Sequence, residues 1–162
     1  MIELKQRIFT ALSKLADRDT HQIAMEDLEK IIEALSNDGV SMLLNCLYDT
    51  INDPKPAMKK ESIRLLAVLC TARTNSAETH LTKIIAHIVK RLKDLDSQVR
   101  EAYCDTVGSL SALYLKGGGE SDGVASLFVK TLFEVMGENN KVVQGGAAMC
   151  MALGDRLFIW RI

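Results

Sequence analysis

The chain has 162 residues, of which 48% are hydrophobic and 25% charged, with a formal charge of −1 at neutral pH; it is long enough to bury roughly two-thirds of its unfolded surface, and its composition argues against disorder. No apolar stretch approaches the ~20 residues that a bilayer-spanning helix requires, and the opening MIELKQRIF, charged and without an apolar run, is not read as a signal peptide. Charge is uneven, with −5 over residues 1–54, +6 over 55–100 and −2 over 101–162, which suits either a local electropositive face for an acidic partner or a solvated helix face.

From the N-terminus, Leu4, Ile8, Leu12 and Leu15 form one apolar stripe, and Ala24, Leu28, Ile31, Ile32 and Leu35 form a second. Spacings of three and four predict two amphipathic helices. Between them lies the polar break Asp17-Arg18-Asp19-Thr20-His21, where Asp19 or Thr20 is expected to cap the second helix. Ser36-Asn37-Asp38-Gly39 is expected to stop that helix, with Gly39 in the left-handed closing position.

The unit then returns. Val40, Leu43, Leu44, Leu47 and Ile51 predict a helix, the break Asp53-Pro54-Lys55-Pro56 follows, and Met58, Ile63, Leu66, Leu69 and Cys70 predict its partner. Proline suits the first turn of a helix, where its missing N–H is not needed. A third pair runs from Leu81 through Leu92, breaks at Lys93-Asp94-Leu95-Asp96, and continues from Val99 to Tyr114. After the linker over residues 116–123, a fourth runs from Val124 to Val135, breaks at 137–140, and continues from Val142 to Met151.

The breaks align: Asp17, Asp53, Asp94 and Glu138 are separated by 36, 41 and 44 residues. A lone helical hairpin cannot bury its apolar stripe, so recurring hairpins stack into a solenoid. The fold expected is all-α, a right-handed α-α superhelix of the HEAT/armadillo kind with about four hairpins. Its repeats span approximately residues 2–36, 39–72, 78–116 and 122–153, and residues 154–162 form a divergent tail.

Catalysis has no foothold in this pattern. Cys46, Cys70, Cys104 and Cys150 are far apart, each within an apolar helical stretch, and read as buried reduced thiols. His21, His80 and His87 are the only histidines; His80 and His87, seven apart, could share a helix face, but no acidic or thiol ligand completes a site with them, so no metal or other cofactor is expected. No serine lies in a GxSxG elbow. The run Gly117-Gly118-Gly119 leads into acidic sequence without a GK[ST], which makes it a loop between repeats. With a pI near 6.3 and no interleaving of aromatic and basic residues, nucleic acid is not an expected partner, nor is a membrane.

Residues 12–19 (LSKLADRD), 27–37 (DLEKIIEALSN), 60–69 (KESIRLLAVL), 87–102 (HIVKRLKDLDSQVREA) and 145–152 (GGAAMCMA) resemble the N-terminal domain of the plant TORTIFOLIA/SPIRAL microtubule-associated proteins. The resemblance covers residue 2 to about 152 and includes loops and both helix faces. It implies a HEAT array of the TOG type that binds tubulin or microtubules in the cytoplasm, with a role in cortical microtubule organisation and directional cell growth. The contacts of such arrays lie on the thin edge made by the turns within each repeat. Carried over turn by turn, the implied tubulin-binding residues are Arg18, Asp19, Thr20 and His21; Lys55 and Pro56; Ser97 and Gln98; and Asn139, Asn140 and Lys141. Asp53, Asp94 and Arg100 read instead as structural residues that cap helices and pair between repeats. The chain supplies fewer repeats than a full array of this type. The apolar residues Leu157, Phe158, Ile159, Trp160 and Ile162 in the divergent tail favour self-association. Alternative readings are an armadillo-type protein that binds actin or anchors at the nuclear envelope, and a scaffold gripping other proteins on its concave helix face.

Overall fold

The computed structural model describes residues 2–89, 91, 92 and 94–115, residue 115 by its backbone alone, and the single positions Ser126, Lys130 and Phe133. The expected fourth hairpin, with Asn139, Asn140, Lys141 and Cys150, and the tail over 154–162 lie outside the described residues. Among the described residues there are seven helices and no strand: α1 (Ile2–Lys14), α2 (His21–Ala34), α3 (Asn37–Thr50), α4 (Pro56–Ala72), α5 (Thr74–Glu78), α6 (Leu81–Val89) and α7 (Ser97–Leu115). The chain divides into two compact units, Met1–Thr79 and His80–Ile162.

In the first unit, α1 packs on α2 and α3 on α4, each pair joined by a short turn that forces the two helices antiparallel. The hairpins then stack, α1 against α3 and α2 against α4. Their interface is the set of stripes read from the sequence. Ile8, Leu12, Leu15, Leu28, Ile32, Leu43, Leu44, Leu47, Ile51, Ile63 and Leu65 are all fully buried. Each such side chain contributes about 1.5–3 kcal/mol relative to exposure. Hydrogen bonds between helices add register: Arg7 Nη2 donates to Asp27 Oδ1 at 2.7 Å across the first hairpin, and Ser62 Oγ to Thr50 Oγ1 at 2.8 Å across the second. The second unit contains a third hairpin, α6 on α7, cored by Ile84, Ile85, Ile88, Leu92, Val99, Tyr103, Val107 and Leu110. Stacked antiparallel hairpins of this kind are the all-α solenoid arrangement expected. Among the described residues no helix is long and apolar enough to cross a membrane.

Three local expectations are corrected. Thr20 does stand at the cap position of α2, but its hydroxyl donates backward to the Lys14 carbonyl at 3.1 Å, and no side chain caps the helix. Its backbone (φ −108°, ψ −7°) is helical, whereas a capping residue usually needs extended backbone to turn its oxygen toward the free N–H groups. Gly39 does not close α2, which ends at Ala34 with Leu35 extended. It sits in the first turn of α3, where its N–H donates to Ser36 Oγ at 3.2 Å and an added Cβ would lie 2.8 Å from Leu35 Cδ2. Close approach, not a left-handed backbone, is what glycine provides there. Finally, the five-residue α5 occupies a stretch the pattern left between repeats, and Ser76 Oγ fastens it to Asn37 Oδ1 at 2.6 Å.

Candidate functional site

The aligned acidic residues explain how each turn is built. Asp17 Oδ1 accepts from the Asp19 N–H at 2.9 Å, Asp53 Oδ1 from the Lys55 N–H at 2.8 Å, and Asp94 Oδ1 from the Asp96 N–H at 3.0 Å. The same Asx turn therefore recurs in all three described hairpins, substituting a carboxylate for a backbone acceptor where the chain reverses. Asp53 and Asp94, expected to cap helices and pair between repeats, each use a carboxylate oxygen inside their own turn instead.

In the first turn Arg18 and Asp19 are exposed, Thr20 is turned back on Lys14, and His21 opens α2. In the second, Lys55 and Pro56 are exposed, Pro56 taking the first helical position of α4. The structure brings these two turns together. His21 Nε2 lies 3.5 Å from Glu61 Oε2 on α4, an ion pair when His21 is protonated. Glu61 is only 5% exposed, and its other oxygen lies 3.3 Å from Arg64 Nη1 and 3.9 Å from Lys60 Nζ. A buried carboxylate ringed by cationic groups thus ties the start of α2 to the second turn of α4. The sequence reading missed Glu61, although a signal exists: it falls three residues after Met58 and four before Leu65, beside the buried stripe, where a charge needs partners.

Helix ends differ between the two sides of this unit. At the opposite edge, α3 is capped by Ser36 and carries Asp38 in its first turn. On the turn edge, α2 and α4 have neither a side-chain cap nor an acidic residue in the first turn. Neither Thr20 nor Lys55 gives its helix a side-chain cap, and neither first turn contributes a carboxylate of its own to the positive end of the helix dipole. Arg18 and Lys55 stand beside them, exposed and with no ion pair to any described residue.

In the second unit, taken by itself, Ser97 and Gln98 are exposed at the first two positions of α7. Asp96 caps that helix, its Oδ1 accepting from the N–H groups of Gln98 at 2.9 Å and Val99 at 3.1 Å. Arg100 Nη1 donates to the carbonyls of Asp94 and Leu95, both at 2.8 Å, closing its own turn. Beneath the turn, burial raises the Tyr103 phenol above its ordinary range, with the Arg91 charge lowering it and that of Asp94 raising it by smaller amounts.

A family model described as the TORTIFOLIA1 N-terminal domain matches residues 2–153. The microtubule-associated protein TORTIFOLIA1 of Arabidopsis thaliana is 61% identical over 158 residues, covering 94% of this chain and 18% of that protein. TORTIFOLIA1-like protein 1 of the same plant is 52% identical over 159 residues, covering 93% and 19%. The chain spans about a fifth of the length of these curated relatives. Among solved structures, an engineered protein from the Northeast Structural Genomics Consortium aligns with a TM-score of 0.50 at 16% identity, over 95% of this chain and 63% of that one, a likeness of fold alone. With the family pattern matched from residue 2 to residue 153, this chain belongs to the TORTIFOLIA1 N-terminal family.

Proposed function

We propose that this chain is a non-catalytic docking module that binds tubulin or microtubules through the edge made by its intra-repeat turns. It would act in the cytoplasm, on cortical microtubules, in their organisation and in directional cell growth. The supporting relatives include one whose name describes it as microtubule-associated. The physical observation that carries the reading is the contrast in helix ends: α3 is capped by Ser36, while neither Thr20 nor Lys55 caps its helix, and Arg18 and Lys55 stand exposed in those turns. Acidic side chains from a partner would complete those ends and meet the basic residues at once. Residues 1–153 are taken as the module, and the residues proposed to contact tubulin are Arg18, Asp19, Thr20, His21, Lys55 and Pro56 in the first unit, Ser97 and Gln98 in the second, and Asn139, Asn140 and Lys141 farther along the chain.

Co-sedimentation of the purified chain with stabilised microtubules and, separately, with actin filaments tests this reading. The chain should pellet with microtubules, less so as ionic strength rises, because contacts between exposed charges are screened within about 10 Å at 0.1 M salt. Pelleting with actin alone would favour the armadillo-type alternative and overturn the proposal, as would failure to pellet with either filament.

A further inference from the structure

Between α1 and α2 lies an open groove of about 490 Å³, lined by these two helices alone and by no residue of the turns. We propose that a second copy of this chain docks in this groove, the two α1 helices lying antiparallel about a twofold axis. The inference does not depend on the function proposed above and concerns a different face of the first hairpin.

Charge favours a copy of the same surface over other occupants. Arg7, Lys14 and Lys30 stand against Glu3, Glu26 and Asp27, so the groove has no net charge. A partner of one sign gains nothing there overall, whereas a surface bearing both signs can complement itself. Arg7 and Asp27 already pair at 2.7 Å, but Glu3, Lys14 and Lys30 make no ion pair with any described residue. The placement of these groups along α1 supplies the symmetry. Its groove residues are Glu3, Gln6, Arg7, Thr10, Ala11 and Lys14. They fall into the pairs 3 with 14, 6 with 11 and 7 with 10, every pair centred between Ile8 and Phe9. In a twofold contact residue i meets residue j while j meets i. An axis at that centre therefore sets Glu3 opposite Lys14 of the second copy, Gln6 opposite Ala11, and Arg7 opposite Thr10, each pair occurring twice. All three are compatible. The first is an ion pair, the second places a long side chain over a small one, and in the third the Thr10 hydroxyl, which donates to the Gln6 carbonyl, is left free to accept from a guanidinium. Positions 3, 7, 10 and 14 also step by four, three and four, the spacing that keeps one seam of a helix facing a neighbouring helix. Ala11 and Ala24 are buried and small, which allows close approach, while Ile23 on the α2 wall is 67% exposed and would be covered by a seated helix.

Sedimentation equilibrium of the full chain at low and high salt tests this, with helical content followed by circular dichroism. The unaltered chain, Glu3→Lys, Lys14→Glu and an equimolar mixture of the two variants are to be compared. The unaltered chain should dimerise, less so as salt rises. Each variant alone sets like charges opposite one another twice across the axis and should weaken dimerisation about tenfold or more, with helical content unchanged. Mixing the variants sets opposite charges together again at both places, and the dimer should return to the level of the unaltered chain. A chain that stays monomeric up to about 1 mM overturns the proposal. So does a dimer that neither variant weakens, which assigns association to another face, and so does a mixture no more associated than its components. Microtubule co-sedimentation decides the docking function separately, so failure of one leaves the other standing.

Discussion

Tyr103 shows what a single buried side chain costs and contributes. Its ring fills the core of the third hairpin, yet its hydroxyl is buried with no hydrogen-bond partner among the described residues. A buried unsatisfied polar group costs about 1–3 kcal/mol, so Tyr103→Phe, which keeps the ring and removes the orphan, should leave stability unchanged or raise it. A melt or urea titration showing a loss of more than about 1 kcal/mol would mean that the hydroxyl has a partner. The same burial dictates alkaline behaviour. Tyr48 and Tyr103 have phenols raised above their ordinary range, chiefly by desolvation. A raised folded-state value means that stability is fully present below the unfolded phenol's pKa of about 10 and is lost as pH climbs above it. Tyrosinate absorbance should therefore report two of the three tyrosines as silent at pH 10–11 in the folded protein and all three titrating in denaturant. Two or more ionising normally in the folded state would contradict their burial.

Helices and turns separate what a sequence displays from what it conceals. Removing the cap in Ser36→Ala should cost about 1 kcal/mol, because Ser36 Oγ accepts from the Gly39 N–H at the start of α3. Thr20→Ala should cost distinctly less, since that hydroxyl donates to an exposed helix-end carbonyl that water can serve instead. Equal losses in chemical denaturation would contradict the assignment of the two ends. In the sequence Thr20 read as a cap and Ser36 as part of a helix stop, although both are small oxygen-bearing side chains ahead of an apolar stripe. Only the backbone angle at each distinguishes a cap from a back-bonded threonine. The stripes themselves were legible because a period of three and four persists over more than three turns in α1 to α4 and in α7, and over about two and a half in α6. Five residues cannot show a period, so α5 was not. Gly39 misled for a related reason: a glycine after a polar cluster has the same appearance whether it ends one helix or lets the next begin against Leu35. At the candidate site, the positions of the turns followed from the alignment of Asp17, Asp53 and Asp94, but their Asx bonding did not, because a carboxylate ahead of a helix looks the same whether it caps that helix or closes its own turn. The burial of Glu61 did not, because it depends on stacking two hairpins so that His21 reaches it.

At the scale of the molecule, stacking converts these local bends into a surface. Within the first unit, α2 rests on α4, and His21 and Glu61 span the join, so two turns distant in sequence are presented side by side. Docking on such a surface is sensitive to the sign of its exposed charges. The direct test reverses Arg18 and Lys55 together, residues that are exposed and make no ion pair with any described residue. Microtubule affinity of Arg18→Glu/Lys55→Glu is to be measured beside the unaltered chain, with helical content checked by circular dichroism. The expected result is a drop of about tenfold or more at low salt, narrowing as salt rises, with helical content unchanged. Undiminished affinity of the folded double variant, set against firm binding by the unaltered chain, would contradict docking through this edge.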